Sequence, residues 1–168
     1  MGRSETVDLG QPRLVGDFFP GEFRVNLHSG LTQPPHSWAV IPPDLTISRH
    51  VEVLLSTETT VYSVDNLEAT DQRLSRGPFT HLAPSPNGKS LALLTYSRTL
   101  WVVSADFQRS LADFDTSTVV GGDGEIRQVE WCGNDAVLVT WDTTAVLVGP
   151  FGDTLQYAHF FAPRTSVC

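Results

Sequence analysis

The sequence has little positive charge and no long apolar run. Eleven Lys and Arg residues stand against nineteen Asp and Glu, which gives a formal net charge of −8, and the basic residues are scattered. This distribution argues against a surface for nucleic acid or anionic lipid. The apolar runs reach about five to seven residues, whereas a membrane span needs roughly twenty. The N-terminus, MGRSETVDLGQPR, is too polar for a secretory signal. We therefore expect a soluble intracellular protein.

Cysteine is also scarce, with only Cys132 and Cys168 in the chain. Cys132 falls in a turn of a repeated segment and Cys168 is the last residue. Two free thiols in a reducing compartment are favoured over a disulfide.

One pattern occurs three times in the middle of the chain. Leu91–Val103 aligns without a gap with Ala136–Val148 at an offset of 45 residues, and Glu52–Val64 fits the same frame 39 residues upstream. Each copy is an apolar run, a short polar turn and a second apolar run. A period near forty with a strand, a turn and a strand is typical of β-propeller blades and not of a helical solenoid.

The repeats predict an all-β fold, an incomplete β-propeller of about three four-stranded antiparallel blades. The blades cover residues 37–76, 77–120 and 124–159, between an irregular N-terminal segment, residues 1–36, and a tail, residues 160–168. Because propellers have about four to eight blades, three do not close a ring. We expect a piece of a larger ring, completed by other blades or other chains.

Twelve strands are predicted, four in each blade. In chain order they are Trp38–Ile41, Val51–Ser56, Thr60–Val64, Gln72–Ser75, Phe79–Leu82, Ser90–Tyr96, Thr99–Ser104, Arg109–Phe114, Gln128–Trp131, Asp135–Thr140, Ala145–Val148 and Thr154–His159. The second strand of each blade is continuously apolar, which predicts burial on both faces, and the polar fourth strands predict an outer rim. Gly121–Gly124 is predicted to be a flexible surface link, and one further strand is predicted around Glu22–Leu27.

No pattern of catalytic, cofactor-binding or metal-ligating residues is found, so no such site is predicted and the chain is not expected to be an enzyme. Ser85, between two prolines, is predicted to be a turn residue because no nucleophile elbow surrounds it. The glycine-rich link lacks the Lys-Ser/Thr of a phosphate loop. The histidines show no zinc-ligand spacing; they are His28, His36, His50, His81 and His159.

Two further groups have a structural explanation. An acidic group around the blade link is predicted to be a solvated rim, since its spacing matches no calcium loop; it comprises Asp113, Asp115, Asp123, Glu125 and Glu130. Core packing is predicted for the tryptophans in and beside strands; they are Trp38, Trp101, Trp131 and Trp141.

An ordered succession of segments from about Ser37 to Tyr157 resembles one family. The segments are Ser37-Trp38, Ile41-Pro42-Pro43, Ser48-Arg49, Val51–Leu55, Thr60-Val61-Tyr62, Val64-Asp65, Gly77-Pro78-Phe79, Ser85–Gly88, Leu100–Ser104, Asp106-Phe107-Gln108, Trp131–Val137, Trp141 and Leu147–Pro150. Together they are similar to the N-terminal propeller of the fungal vacuolar protein sorting-associated protein 16 family.

The resemblance implies a propeller that is followed, in the family, by a long helical solenoid. It implies a non-enzymatic scaffold of the HOPS and CORVET tethering complexes, with the other tether subunits as partners. The location would be cytoplasmic and peripheral to endosome and vacuole membranes. No cofactor is implied. The family's contact with its SNARE-binding partner is made by the solenoid and does not carry over.

The chain departs from the family pattern before Ser37 and after His159. Two alternatives therefore stay open: a stand-alone small β-protein that oligomerises through open blade edges, or a truncated gene product without function. A hydrolase on a propeller scaffold is not favoured, because no convergent polar residues occupy repeat-equivalent positions.

Overall fold

Twelve strands form three separate four-stranded sheets in the computed structural model, which describes residues 34–65, 68–150 and 152–158. The strands are β1 Ser37–Ile41, β2 Glu52–Ser56, β3 Val61–Val64, β4 Ala69–Asp71, β5 Phe79–Pro84, β6 Ser90–Thr95, β7 Thr99–Ser104, β8 Ser110–Asp115, β9 Gln128–Cys132, β10 Ala136–Thr140, β11 Thr144–Val148 and β12 Thr154–Ala158. Each sheet pairs its strands antiparallel in chain order. The predicted all-β fold of three blades is confirmed.

The strand register corrects the gapless alignment of the repeats. Four residues separate the paired residues Ser56 and Val61 in the first blade, and Thr140 and Ala145 in the third. In the second blade, five residues separate Leu94 from Leu100. The second blade thus has one extra turn residue, and a one-residue shift moves every side chain of a strand to its other face.

The first and third blades each bury one face against the second. The cluster between the first and second blades contains Ala39, Ile41, Leu54, Val61, Phe79, Leu82, Leu91, Leu93 and Val103. The cluster between the second and third blades contains Ala83, Ala92, Leu94, Leu100, Val102, Val119, Ile126, Val129, Val137, Val139, Trp141, Val146 and Val148. The middle blade is therefore covered on both sides.

Burial along the second strand of each blade follows from this arrangement. Strand β6 is buried at five successive residues after Ser90, as its continuous apolar run predicts. Strand β10 instead alternates between buried and half-buried residues, because only one of its faces meets another blade. The fourth strands β4, β8 and β12 are largely exposed, which confirms the predicted outer rim.

The fourth strand of the first blade was predicted at the wrong place. It lies at Ala69–Asp71 and not at Gln72–Ser75. The chain turns directly after it: the Asp71 side chain accepts a hydrogen bond from the Arg73 amide at 2.7 Å, and Arg73 has a φ of 52°. A left-handed residue of this kind ends a strand. The strand predicted at Glu22–Leu27 and the tail lie outside the described residues.

The link Gly121–Gly124 lies at the surface as predicted, with three of its four residues exposed, but hydrogen bonds and one buried glycine hold it in place. Gly122 is buried beside the Trp141 ring. The Arg98 guanidinium donates to the Gly122 carbonyl at 2.7 Å, to the Asp123 carbonyl at 2.9 Å and to the Gly124 carbonyl. Arg98 lies in the longer turn of the second blade, with a φ of 69°. A turn of one blade therefore holds the connection to the next.

Replacement of Gly77 by alanine should destabilise the contact between the first and second blades. A Cβ atom at Gly77 would lie 2.8 Å from the backbone oxygen of Thr59, which cannot rotate away as a side chain can. We expect Gly77→Ala to lower the free energy of unfolding by about 1–3 kcal/mol, measured by urea denaturation. Gly124→Ala is the matched control, because no atom lies within 4 Å of its added Cβ. Equal midpoints for the two variants would contradict the tight contact.

Candidate interaction site

The third blade has an apolar face that no other described blade covers. Cross-strand pairing sets Leu138 beside Leu147 and Leu147 beside Leu155, and it sets Ala145 beside Tyr157. Leu155 is 51% exposed and Tyr157 is 60% exposed. We call this surface the free blade face; it consists of Ala136, Leu138, Thr140, Ala145, Leu147, Leu155 and Tyr157, together with the β9 residues paired with the first three, Cys132, Glu130 and Gln128.

The same face is buried in the other two blades. The turns of the first and third blades have the same length, so Leu138 is equivalent to Leu54 and Ala145 to Val61. Leu54 and Val61 are fully buried against the second blade. In the second blade, the corresponding face packs on the third. The free blade face is thus the surface with which each preceding blade meets its successor.

Hydrogen bonds accompany this packing where a successor is present. The Ser56 hydroxyl donates to the Phe79 carbonyl of the second blade at 3.0 Å. The Trp131 indole donates to the Ala83 carbonyl at 2.7 Å, so the third blade is bonded to the second in a comparable way. Thr140 is the equivalent of Ser56, and its hydroxyl makes no hydrogen bond to any residue that the structure describes. The free blade face therefore has an available hydrogen-bond donor, the Thr140 hydroxyl, at the end of β10.

The residues considered above as candidates for catalysis or metal binding have structural positions in the fold. Ser85 is buried in the predicted turn, where its hydroxyl donates to the Asn87 side chain at 2.8 Å and accepts from the Ser90 amide at 3.0 Å. His36 and His50 are exposed and His81 is half-buried. Within the described ranges, no three His, Cys, Asp or Glu side chains are grouped as metal ligands. Cys132 is an exposed free thiol, and Cys168 lies outside those ranges.

The acidic residues around the blade link are all exposed, as the predicted rim requires. Asp113 pairs with Arg76. Asp115 accepts from the Ser117 hydroxyl at 2.6 Å and from its amide at 2.9 Å, and these two bonds lower the pKa of the Asp115 carboxyl. Glu125 pairs with Arg127 at 3.0 Å. These contacts are exposed surface pairs, each of which contributes little to stability.

Core packing explains three of the four tryptophans. Trp141 is buried, Trp131 packs against the cluster of the second and third blades, and Trp101 stacks on Phe79 with ring centroids 6.4 Å apart. Trp38 is the exception, because it is 40% exposed on the strand face opposite Ala39. Core packing is therefore the wrong explanation for Trp38.

The comparisons with known proteins agree with this architecture. The sequence profile described as "Vps16, N-terminal region" matches residues 26–166. The similarity thus extends before Ser37 and after His159, and the departure expected at those two points is wrong. The chain belongs to this family. It is 31% identical over 140 residues to the probable vacuolar protein sorting-associated protein 16 homolog of Schizosaccharomyces pombe, with 77% of this chain and 16% of that protein covered. It is 28% identical over 133 residues to the vacuolar protein sorting-associated protein 16 homolog of Dictyostelium discoideum, with coverage of 77% and 15%.

Similarity to one solved structure supports the propeller fold and nothing beyond the fold. The structure titled "KlHsv2 with loop 6CD replaced by a Gly-Ser linker" superimposes with a TM-score of 0.50 at 7% identity, covering 74% of this chain and 40% of that chain. Hsv2 is a β-propeller. The family member described here spans about a sixth of the length of its curated relatives. No helix among its described residues is long and apolar enough to cross a membrane.

Polar substitutions at two neighbouring residues of β11 should destabilise the protein to different extents. Leu147 lies on the free blade face, whereas Val146 is buried against the second blade. We expect Leu147→Ser to lower the free energy of unfolding by less than about 1 kcal/mol and Val146→Ser to lower it by about 2–3 kcal/mol. Thermal or urea denaturation of the full chain measures both. A larger loss for Leu147→Ser would show that other residues cover this face.

Proposed function

We propose that the chain is a non-enzymatic scaffold of a vesicle-tethering subunit of the HOPS or CORVET type. It acts through its blade surfaces in protein transport to the vacuole by way of endosomes. The curated relatives, named for vacuolar protein sorting, support this role. Its partners are the other tether subunits, so its association with endosome and vacuole membranes is indirect and its location is cytoplasmic.

The free blade face is the observation that carries the proposal. Half-buried Leu138 and Leu147 join exposed Leu155 and Tyr157 in an apolar patch on the β10, β11 and β12 side of this face, while Glu130 lies beside Leu138 at the β9 side. Contiguous apolar surface of this kind marks an interaction site on a soluble protein. Because the equivalent faces of the first two blades each receive a four-stranded sheet, another β-sheet is the occupant that fits. Thr140 is placed to donate to its first strand, as Ser56 donates to Phe79.

A second copy of the chain is the alternative occupant. Two free blade faces could pair about a two-fold axis, since a symmetric dimer uses the same patch on both subunits. Leu155 and Tyr157 on the outer strand favour this reading because they are exposed near an open sheet edge. Size-exclusion chromatography with light scattering of the full chain distinguishes the two. A stable symmetric dimer supports the alternative, and a monomer favours the scaffold.

Capture by the tether subunits tests the scaffold directly. The full chain, carrying an affinity tag, is co-expressed with the other subunits of the complex and recovered. We expect the unchanged chain to recover them and Leu147→Asp to reduce recovery roughly tenfold or more, because an unpaired charge would be buried at the centre of the contact.

Leu111→Asp is the matched control for this experiment. Leu111 is 45% exposed on β8, outside the free blade face, so its replacement adds the same charge elsewhere. We expect recovery with Leu111→Asp to equal that of the unchanged chain. Failure of the unchanged chain to recover any subunit would refute the proposal, and equal recovery with both variants would refute the role of this face.

A further inference from the structure

The first blade has an apolar face that is directed away from the second blade. Alternate residues of a strand point to opposite sides of a sheet, so the neighbours of Ala39, Leu54 and Val61, which themselves pack on the second blade, point the other way. These neighbours form two cross-strand rows. We call this surface the outer blade face; its rows are Trp38, Leu55, Tyr62 and Asp71, and Val40, Val53, Val64 and Ala69.

Two residues of the outer blade face are buried as deeply as the core. Leu55 is 4% exposed and Val64 is 3% exposed, yet neither belongs to the clusters between the described blades. Leu138 and Leu147 lie on the corresponding central strands of the third blade, on the free blade face, and they are only half-buried. An uncovered sheet face in this chain thus leaves its central residues partly exposed. The burial of Leu55 and Val64 therefore indicates that the outer blade face is covered.

The apolar side chains in the described loops of the first blade are directed elsewhere. Leu45, in the loop from β1 to β2, and Leu74, after β4, both pack on the cluster between the first and second blades. Ile47, in the same loop as Leu45, is fully exposed. The part of the chain that lies next to this blade and could supply a cover is the segment before β1.

The segment before β1 has the sequence of a strand with one apolar side. From Glu22 to His28 the residues alternate strictly, with Phe23, Val25 and Leu27 apolar and the residues between them polar. Such alternation is typical of a strand that lies on an apolar surface and has its other side in water. The strand predicted above at Glu22–Leu27 falls in this segment.

The connection to β1 is long enough for this segment to reach the outer blade face. Nine residues separate Leu27 from Ser37. Because an extended residue spans at most roughly 3.6 Å, this connection covers up to about 30 Å, whereas a layer packed on a sheet lies only ~10 Å away. The tail, residues 160–168, follows the third blade, which lies on the far side of the second blade. The segment before β1 has the shorter path.

We propose that residues 22–28 pack on the outer blade face and cover it in place of a preceding blade. Phe23, Val25 and Leu27 contact the two apolar rows, and the polar residues between them face water. The contact buries no charge of the outer blade face, because its one charged residue, Asp71, lies exposed at the edge strand β4.

A covered outer blade face leaves the described blades with one open side. Without the cover, the free blade face of one copy could pack on the outer blade face of the next, as successive blades do within the chain. Contacts of this head-to-tail kind form rings or open filaments. The end repeats of repeat proteins prevent such growth with a polar outer side, and the polar side of residues 22–28 has that role here. A partner sheet is then directed to the free blade face alone.

Trypsin cleavage after Arg24 tests the cover. A protease cuts a docked segment only when the segment opens, so the rate follows the population of the open form. A synthetic peptide of residues 14–33 gives the rate for the undocked segment, and mass spectrometry follows cleavage of the peptide and of the full chain. We expect cleavage of the full chain to be at least roughly tenfold slower. Equal rates would overturn the proposal.

Substitutions in the segment distinguish its two sides. Leu27→Ser removes an apolar contact and should raise the rate of cleavage after Arg24 in the full chain roughly three- to tenfold. His28→Ser is the matched control at the next residue, on the polar side, and should leave the rate unchanged. Equal rates for the two variants would contradict the docking of the apolar side.

Substitutions in the blades locate the contact. Val53→Ser, on the outer blade face, should raise the rate after Arg24 to a similar extent, whereas Leu147→Ser, on the free blade face, should not. Faster cleavage after Arg98 as well would show that a variant had unfolded the blades. In that case Leu27→Ser, which lies outside the blades, still decides the outcome.

Protein concentration separates the cover from a second copy. A segment of the same chain protects Arg24 equally at every protein concentration. Protection that increases with concentration would assign the outer blade face to a second copy and would overturn the proposal. Failure of the tether capture would leave these results unaffected, because that experiment probes the free blade face.

Discussion

The fold depends on the packing of successive blades, and strand β6 shows why. Its residues Leu91 and Leu93 face the first blade, and Ala92 and Leu94 face the third. A single four-stranded sheet has no core of its own, since one layer of strands cannot enclose an apolar interior. Apolar area removed from water contributes roughly 25 cal/mol per Å², and here that area arises between blades. Each blade is therefore stabilised by its neighbours and not by itself.

The hairpins of the fold could be predicted from the sequence because this packing leaves a strong pattern. Apolar strands around short polar turns recur near a forty-residue period, and eleven of the twelve predicted strands overlap the strands in the structure. The failure at Gln72–Ser75 has a local cause. The outermost strand of a blade buries little, as β4 shows by being exposed throughout, so no apolar alternation marks its position.

It was harder to predict which blade each strand residue packs against than to predict where the strands lie. The identity of Leu93 and Leu138 favoured a gapless alignment, yet Leu93 packs on the preceding blade and Leu138 lies on the free blade face. One extra turn residue causes the difference, and its position is fixed by the hydrogen-bond register, which local sequence does not show. Arg98 is similar: its contacts with the link span about 25 residues, so the turn sequence alone gives no sign of them.

Repeated and irregular surfaces have different consequences for recognition. The apolar part of the free blade face corresponds to the contacts between the described blades, so it can supply apolar area but distinguishes poorly between one β-sheet and another. Specificity needs features that a competing partner does not match. In this chain such features arise where the repeat is broken, at the bulge of β5 and the longer turn that carries Arg98. A partner selected at these irregularities could be discriminated by a few polar groups, while the regular face supplies most of the contact area.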